Sequence, residues 1–264
     1  MPRASRTTLH SLLHSVKSIR DTEMRRSALA RQLLARPPET SVTLLRELVA
    51  AAGVGNTQVS EAIASLVSLL GSSTQLPYQL RAELYSAASD AGAPEIGILL
   101  LEGEERDNEA DASPTRAIVP GQRPLSLGAR KWAARTHDRQ QLGHLIADPH
   151  PDVVAVVLDN PHLREDDVVI MASKRPCSGT SLRHIAHHPR WSPRPRVRLA
   201  LALNPSCNLH LACRLVLDLR DSALDQVVKN ASSPVHLRAH AERLLARRRH
   251  YREEQRASRN REAN

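Results

Sequence analysis

The chain has 264 residues with 37 basic and 28 acidic side chains, a formal net charge of +9. Its 41% apolar and 25% charged residues exclude wholesale disorder and a collagen-like chain, and no stretch approaches the ~18 uninterrupted apolar residues of a membrane span. With 37 Leu and 34 Ala but no Phe, the composition favours helices over sheets.

A chain of this length lies near the size at which one core gives way to two, so two core-bearing segments are expected. Charge is divided unevenly between them: residues 1–120 hold 12 basic and 14 acidic side chains, net −2, and residues 121–264 hold 25 and 14, net +11. Of the 37 basic residues 33 are Arg. Selection for forked binding of phosphate or carboxylate gives such a bias, but so does a GC-rich genome, and only the clustering of charge is read as functional. Cys177, Cys207 and Cys213 form no CxxC pair. That supports neither a disulfide framework nor a thiolate zinc site, and fits a reducing cytoplasm.

Residues 1–104 read as a string of short amphipathic helices. Leu9, Leu12, Leu13, Val16 and Ile19 trace one face of a first helix, a better account of this basic, acid-free start than a transit peptide. A second run through Ala28, Leu29, Leu33 and Leu34 is closed by Pro37 and Pro38. Runs at 42–52, 59–70 and 76–91 then stop at Gly53, Gly71 and Gly92, the preferred residue for a left-handed C-terminal cap. Connections this short imply antiparallel neighbours. From 105 to 124 the periodicity fails in an acidic, then Pro-containing stretch that reads as a linker. Residues 125–249 form the second segment, and 250–264 a polar C-terminal tail expected to fray.

The second segment carries an internal repeat. LGHLIADP at 142–149 aligns without gaps with LRHIAHHP at 182–189, and PDVVAVVLDNP at 151–161 with PRVRLALALNP at 195–205; a weaker third copy runs through Leu224, Val227, Val228 and Pro234. Offsets of 40 to 44 residues fit units of two or three helices. Pro149, Pro161, Pro176, Pro189 and Pro205 each stop an apolar run. Helices of two or three turns are marginal alone and must stack on neighbours. Segments 153–158 and 199–203, apolar on every side, belong inside.

These Asp-Pro and Asn-Pro stops around VVAVVLDNP and VRLALALNP resemble the leucine-rich repeat variant proteins, a bacterial branch of the HEAT-like α-solenoids. The resemblance covers roughly 125–249 and implies an all-α, short-helix solenoid preceded by an N-terminal helical segment. Some members carry an N-terminal cysteine cluster for an iron-sulfur centre. No Cys precedes Cys177 here, so that cofactor is not carried over.

Between the aligned prolines the second copy is four residues longer, PRWSPRP at 189–195. Insertions in a solenoid emerge on one face, often the binding face. This one presents Arg190, Trp191, Arg194, Arg196 and Arg198, which would grip a phosphate backbone or seat an acidic peptide; alternatively Trp191 folds back as a plug. Arg130, Lys131 and Arg135 surround Trp132 in a second basic-aromatic patch, where Trp132 is a contact or an end cap of the stack. Arg247, Arg248, Arg249 and Arg252 suit an anion or a solvated helix end. His184, His187 and His188 share helical spacing and Cys177 is near in sequence, but His144 matches His184 in the other copy, which points to structure rather than zinc. Glu165, Asp166 and Asp167 suit a helix start better than acid-base work. No phosphate-binding loop, dinucleotide fingerprint, nucleophile elbow or HExxH is present.

The expectation is a non-enzymatic, cytoplasmic scaffold or adaptor that binds a macromolecule through a basic surface, a protein rather than a small molecule or membrane. The rival is a nucleic-acid binder, similar to the HEAT-like DNA glycosylases, for which the +11 half supplies the charge and its scarce aromatics supply little stacking.

Overall fold

The computed structural model describes residues 3–17, 19, 21–53, 56–71, 75–102, 115–119, 121 and 123–262. Over these residues it is all-α apart from one two-residue ladder. Six helices come first: α1 Arg3–Lys17, α2 Thr22–Leu34, α3 Pro38–Ala51, α4 Thr57–Leu70, α5 Tyr78–Asp90 and α6 Pro94–Leu100. Strands β1 Thr115–Arg116 and β2 Leu125–Ser126 pair antiparallel. Nine more helices follow among the described residues: α7 Leu127–Ala133, α8 Arg139–Leu145, α9 Pro151–Leu158, α10 Glu165–Ser173, α11 Gly179–His187, α12 Pro195–Ala202, α13 Leu209–Leu215, α14 Asp221–Lys229 and α15 Val235–Glu262. Among the described residues no helix is long and apolar enough to cross a membrane.

Contacts divide the chain into two units, one made of Met1–Glu102 with Cys213–Asn264 and the other of Gly103–Ala212. This differs from the division at 125–249 expected from the repeats. The weak third copy packs with the N-terminal helices, because α15 lies along both α3 and α14. Two polar ties fix it there: Arg214 donates to the carbonyls of Leu99 and Leu101, and Ser60 to Asp218; within the C-terminal segment itself Arg248 donates to the carbonyls of Leu217 and Leu219 at 2.6 Å each. The tail expected from 250 is helical instead, since α15 continues to Glu262. Of the linker at 105–124, residues 105–114 lie outside the described residues, while Thr115–Arg116 form the ladder against Leu125–Ser126.

In the first unit the five expected helices form, and α6 adds a sixth that opens with Pro94 at its first turn. Leu29, Val42, Leu48, Ile63, Leu66, Leu84 and Ile96 fill the core, together with Leu224, Leu237 and Leu244 from the C-terminal end. Two of the three helix-stopping glycines are left-handed, Gly53 at φ +76° and Gly92 at φ +57°. At Gly92 the reason is visible: its own N–H reaches Ser89 O and that of Ala93 reaches Ala88 O, which closes the helix end. Gly71, at φ −82°, is an ordinary right-handed cap. At Gly53 a second constraint acts, because a Cβ would lie 2.3 Å from Nη1 of Arg248.

Arg248 is 1% exposed; besides its two carbonyls it contacts Asp221 at 3.0 Å, and Arg252 holds the other Asp221 oxygen at 2.7 Å. The basic cluster near the C-terminus is therefore partly an internal joint between α14 and α15. Gly53→Ala forces a left-handed alanine against that guanidinium, and an urea-unfolding midpoint lowered by the equivalent of about 2–4 kcal/mol is expected.

His240 on α15 is fully buried, and neither ring nitrogen makes a well-formed hydrogen bond. Burial pushes its pKa down to about 4, against a weaker upward pull from the backbone of Cys213. The unfolded chain, with an ordinary imidazole near 6.5, thus binds more protons than the folded one between those values. The contribution of His240 to stability is fully present above pH ~6.5 and is lost as pH drops toward 4, by up to about 3 kcal/mol. His240→Leu is expected to flatten that slope in unfolding measured from pH 7 to 4.5.

Candidate functional site

The second unit is built from helices of seven to nine residues, whose terminal carbonyls lack partners of their own. The repeated Asx-Pro signature answers this twice. First, the residue before four of the five helix-stopping prolines turns the chain by accepting the N–H two residues on: Asp148 from His150, Asn160 from His162, His188 from Arg190 and Asn204 from Ser206, at 2.9–3.2 Å. Proline between them has no N–H to lose. Secondly, the segment after one helix donates to the end of the helix two before it. Asn160, after α9, gives its amide to Ala134 O and Thr136 O beyond α7, both at 2.9 Å. Asn204, after α12, does the same to Ala172 O and Lys174 O of α10 at 2.8 and 3.0 Å. The Lys174 ammonium, after α10, reaches Ala147 O beyond α8. The packing follows these ties: α7 lies on α9, α9 on α11 and α10 on α12.

The inserted loop follows the same rule with another donor. Trp191 is 2% exposed and its indole Nε1 donates to Leu158 O at the end of α9, 2.9 Å away. It is the plug, not an exposed anchor. Arg190 lies over its ring, 4.2 Å from the centroid, and donates to Asn160 O and Leu163 O. Arg198 is buried and donates to Ser192 O at 2.6 Å. Of the five loop residues nominated from sequence, Arg190, Arg194 and Arg196 are exposed and Trp191 and Arg198 are buried; Arg196 pairs with Asp166 at 2.6 Å and Arg194 stands 4.0 Å from Glu165.

The second nominated patch does not hold together either. Arg130 is 1% exposed and holds both oxygens of Asp148 from one nitrogen, at 2.8 and 2.9 Å. Lys131 pairs with Asp152, Arg135 donates to Lys131 O, and Trp132 is 77% exposed rather than capping a stack. His188 is spent on its turn and on Asp159 at 3.1 Å, His187 meets Arg183 O, and burial pushes both the His184 pKa down and the Cys177 pKa up. Among the described residues no group of three or more His, Cys, Asp or Glu could hold a metal ion.

What the turns do assemble is an open cleft of about 570 Å³, lined by His137, Arg139, Pro161, His162, Leu163, Arg164, Glu165, Arg190, Trp191 and Arg194. Its floor is the Arg190–Trp191 stack. His137 and His162 share a hydrogen bond at 2.9 Å, Nδ1 to Nε2, with their rings edge to face. Arg139 forks onto Asp167 at 2.5 and 2.8 Å. Burial works against ionising Asp167, but the Arg139 hydrogen bonds and the Arg164 N–H outweigh it and hold the carboxyl below the usual range. Asp167 thus closes the first turn of α10, as expected for the acidic trio, and spends Arg139 in doing so.

His137, Arg139, His162 and Arg164 escaped the sequence reading. A signal was present: His162 and Arg164 follow Asn160-Pro161 at the offsets by which Arg190 and Ser192 follow His188-Pro189. Compared with known proteins, the chain matches no family model, no curated protein and no solved structure at significant similarity.

Asn160→Ala removes one turn and leaves two helix-end carbonyls unpaired. A loss of about 2–4 kcal/mol is expected in chemical unfolding followed by Trp191 fluorescence.

Proposed function

We propose that this protein is a non-enzymatic binding module, a short-helix α-solenoid of the leucine-rich repeat variant type over Gly103–Ala212, that docks an acidic segment of another protein in the cleft between its helix turns. Two features support the solenoid reading: the helix-to-next-but-one ties and the recurrence of the same turn at Asp148, Asn160, His188 and Asn204. The observation that carries the binding reading is the charge of the cleft. Arg164, Arg190 and Arg194 face one carboxylate, Glu165, while Arg139 and Asp167 cancel. An extended polypeptide fits an open, pre-formed cleft without the ordering cost of a mobile surface.

The basic-aromatic contact expected from the insertion moves accordingly. Arg190 and Arg194 remain part of the surface, Trp191 supports it from below, and Arg196 and Arg198 leave it. Nucleic acid is less well served: Trp191, the one large ring in the cleft, is buried with a face under Arg190, so it offers no platform for a base.

Fluorescence anisotropy with a Glu-rich decapeptide tests this reading. Micromolar binding is expected, weakened tenfold or more by the charge reversals Arg164→Glu and Arg194→Glu, whose exposed side chains carry no buried contact. No binding of the peptide, or far tighter and steeply salt-dependent binding of a single-stranded oligonucleotide, would overturn it.

A further inference from the structure

Resting on that docking reading and narrowing its ligand, we propose that the cleft is a site for a phosphate monoester, presented as phosphoserine or phosphothreonine on the partner polypeptide. The charge tally is the first argument. Among the lining side chains Arg139 is neutralised by Asp167, and Arg190 is held by backbone carbonyls, which orient its charge without cancelling it. Arg164, Arg190 and Arg194 against Glu165 leave an excess of two positive charges with both imidazoles neutral. A carboxylate offsets one of these; a phosphate monoester, at about −1.5 to −2 near pH 7, offsets both.

Geometry is the second argument. A carboxylate presents two coplanar oxygens and is met best by one forked guanidinium, the arrangement that Arg139 and Asp167 already form inside the unit. Here the donors arrive from three separate turns: His137 after α7, His162 and Arg164 after α9, and Arg190 and Arg194 from the inserted loop. A tetrahedral group with three acceptor oxygens suits donors that converge from three directions. The histidine pair adds one of them. Whichever ring donates across the 2.9 Å bond, the accepting ring carries its proton on its outer nitrogen, so the neutral pair always keeps one N–H for a ligand. The buried indole beneath Arg190 gives no stacking face, which favours a phosphorylated side chain over a nucleotide.

Three peptides of one neutral sequence, with a central phosphoserine, glutamate or serine, are titrated by calorimetry, with inorganic phosphate as competitor. The phosphoserine peptide is expected to bind at least tenfold more tightly than the glutamate peptide, inorganic phosphate is expected to displace it, and the imidazole signals of both His137 and His162 to shift in NMR. Arg164→Gln with Arg194→Gln is expected to abolish that preference while thermal unfolding stays unchanged; should this variant fail to fold, the histidine shifts of the unaltered protein still decide. Equal affinity for phosphoserine and glutamate peptides overturns the phosphate site and leaves acidic docking standing. Failure of both peptides, and of the Glu-rich decapeptide, overturns the two together. A phosphoserine preference that leaves the histidine signals unmoved also overturns the proposal, since it places the site elsewhere.

Discussion

A helix of seven to nine residues ends with about half of its carbonyls unmatched, and in the Gly103–Ala212 unit nearly everything else follows from how those carbonyls are satisfied. Each unpaired buried carbonyl costs on the order of 1–3 kcal/mol, against helices that have almost no stability of their own. Supplying the donor from the turn that follows the next helix but one solves the problem and fixes the packing in the same step. Asn160 and Asn204 show why asparagine suits the position. Its oxygen shapes the local turn while its amide, with two protons, serves two carbonyls of a distant helix end. The offset of 40 to 44 residues seen in the sequence spans three helices, α8 to α11 and α9 to α12.

The same logic explains where the arginines go. A chain with 33 of them invites the reading that its surface is a polyanion trap, yet the most buried ones serve the fold. Arg198, Arg214 and Arg248 each donate to backbone carbonyls, and Arg130 locks the Asp148 turn. A guanidinium is the one side chain that spreads five donors over a wide reach, so it can reach the helix-end carbonyls at Leu99 and Leu101 and at Leu217 and Leu219. Net charge therefore overstates the functional surface. What matters is the subset whose charge is left uncompensated, and Arg164, Arg190 and Arg194 beside α10 belong to it.

Local signals carried much of this fold in the sequence. Helix positions in the first hundred residues and the proline stops follow from periodicity and from the rigid chemistry of proline and glycine; the interior placement of 153–158 and 199–203 holds in part, since Val153, Val154, Val157, Leu158, Leu201 and Ala202 are buried while Ala155, Val156, Leu199, Ala200 and Leu203 are half-buried. Pairings across long separations were not legible. Nothing in Arg214 or Arg248 announces that their partners are helix-end carbonyls, and in the case of Arg214 these lie more than a hundred residues away, at Leu99 and Leu101. Trp132 and Trp191 illustrate the limit on sites. Each sits among arginines in the sequence, but one is exposed and the other buried, and the difference lies in whether a carbonyl awaits the indole N–H.

The inserted loop shows how a structural repair becomes a surface. At the position that Asn160 and Asn204 occupy in their own turns, the 182–189 copy has His188. An imidazole can accept the Arg190 N–H through Nδ1, and Nε2 is then left to pair with Asp159; neither nitrogen remains for the end of α9. The carbonyl of Leu158 needs another donor, and the nearest side chain with a single N–H on a long rigid frame is the indole of Trp191. Seating a group of that size takes extra chain, which is what the four added residues provide. Those residues raise Arg190 and Arg194 over the turn that carries His162 and Arg164. A missing amide in one turn thus accounts for the insertion, the buried tryptophan and the convergence of cations that makes the cleft.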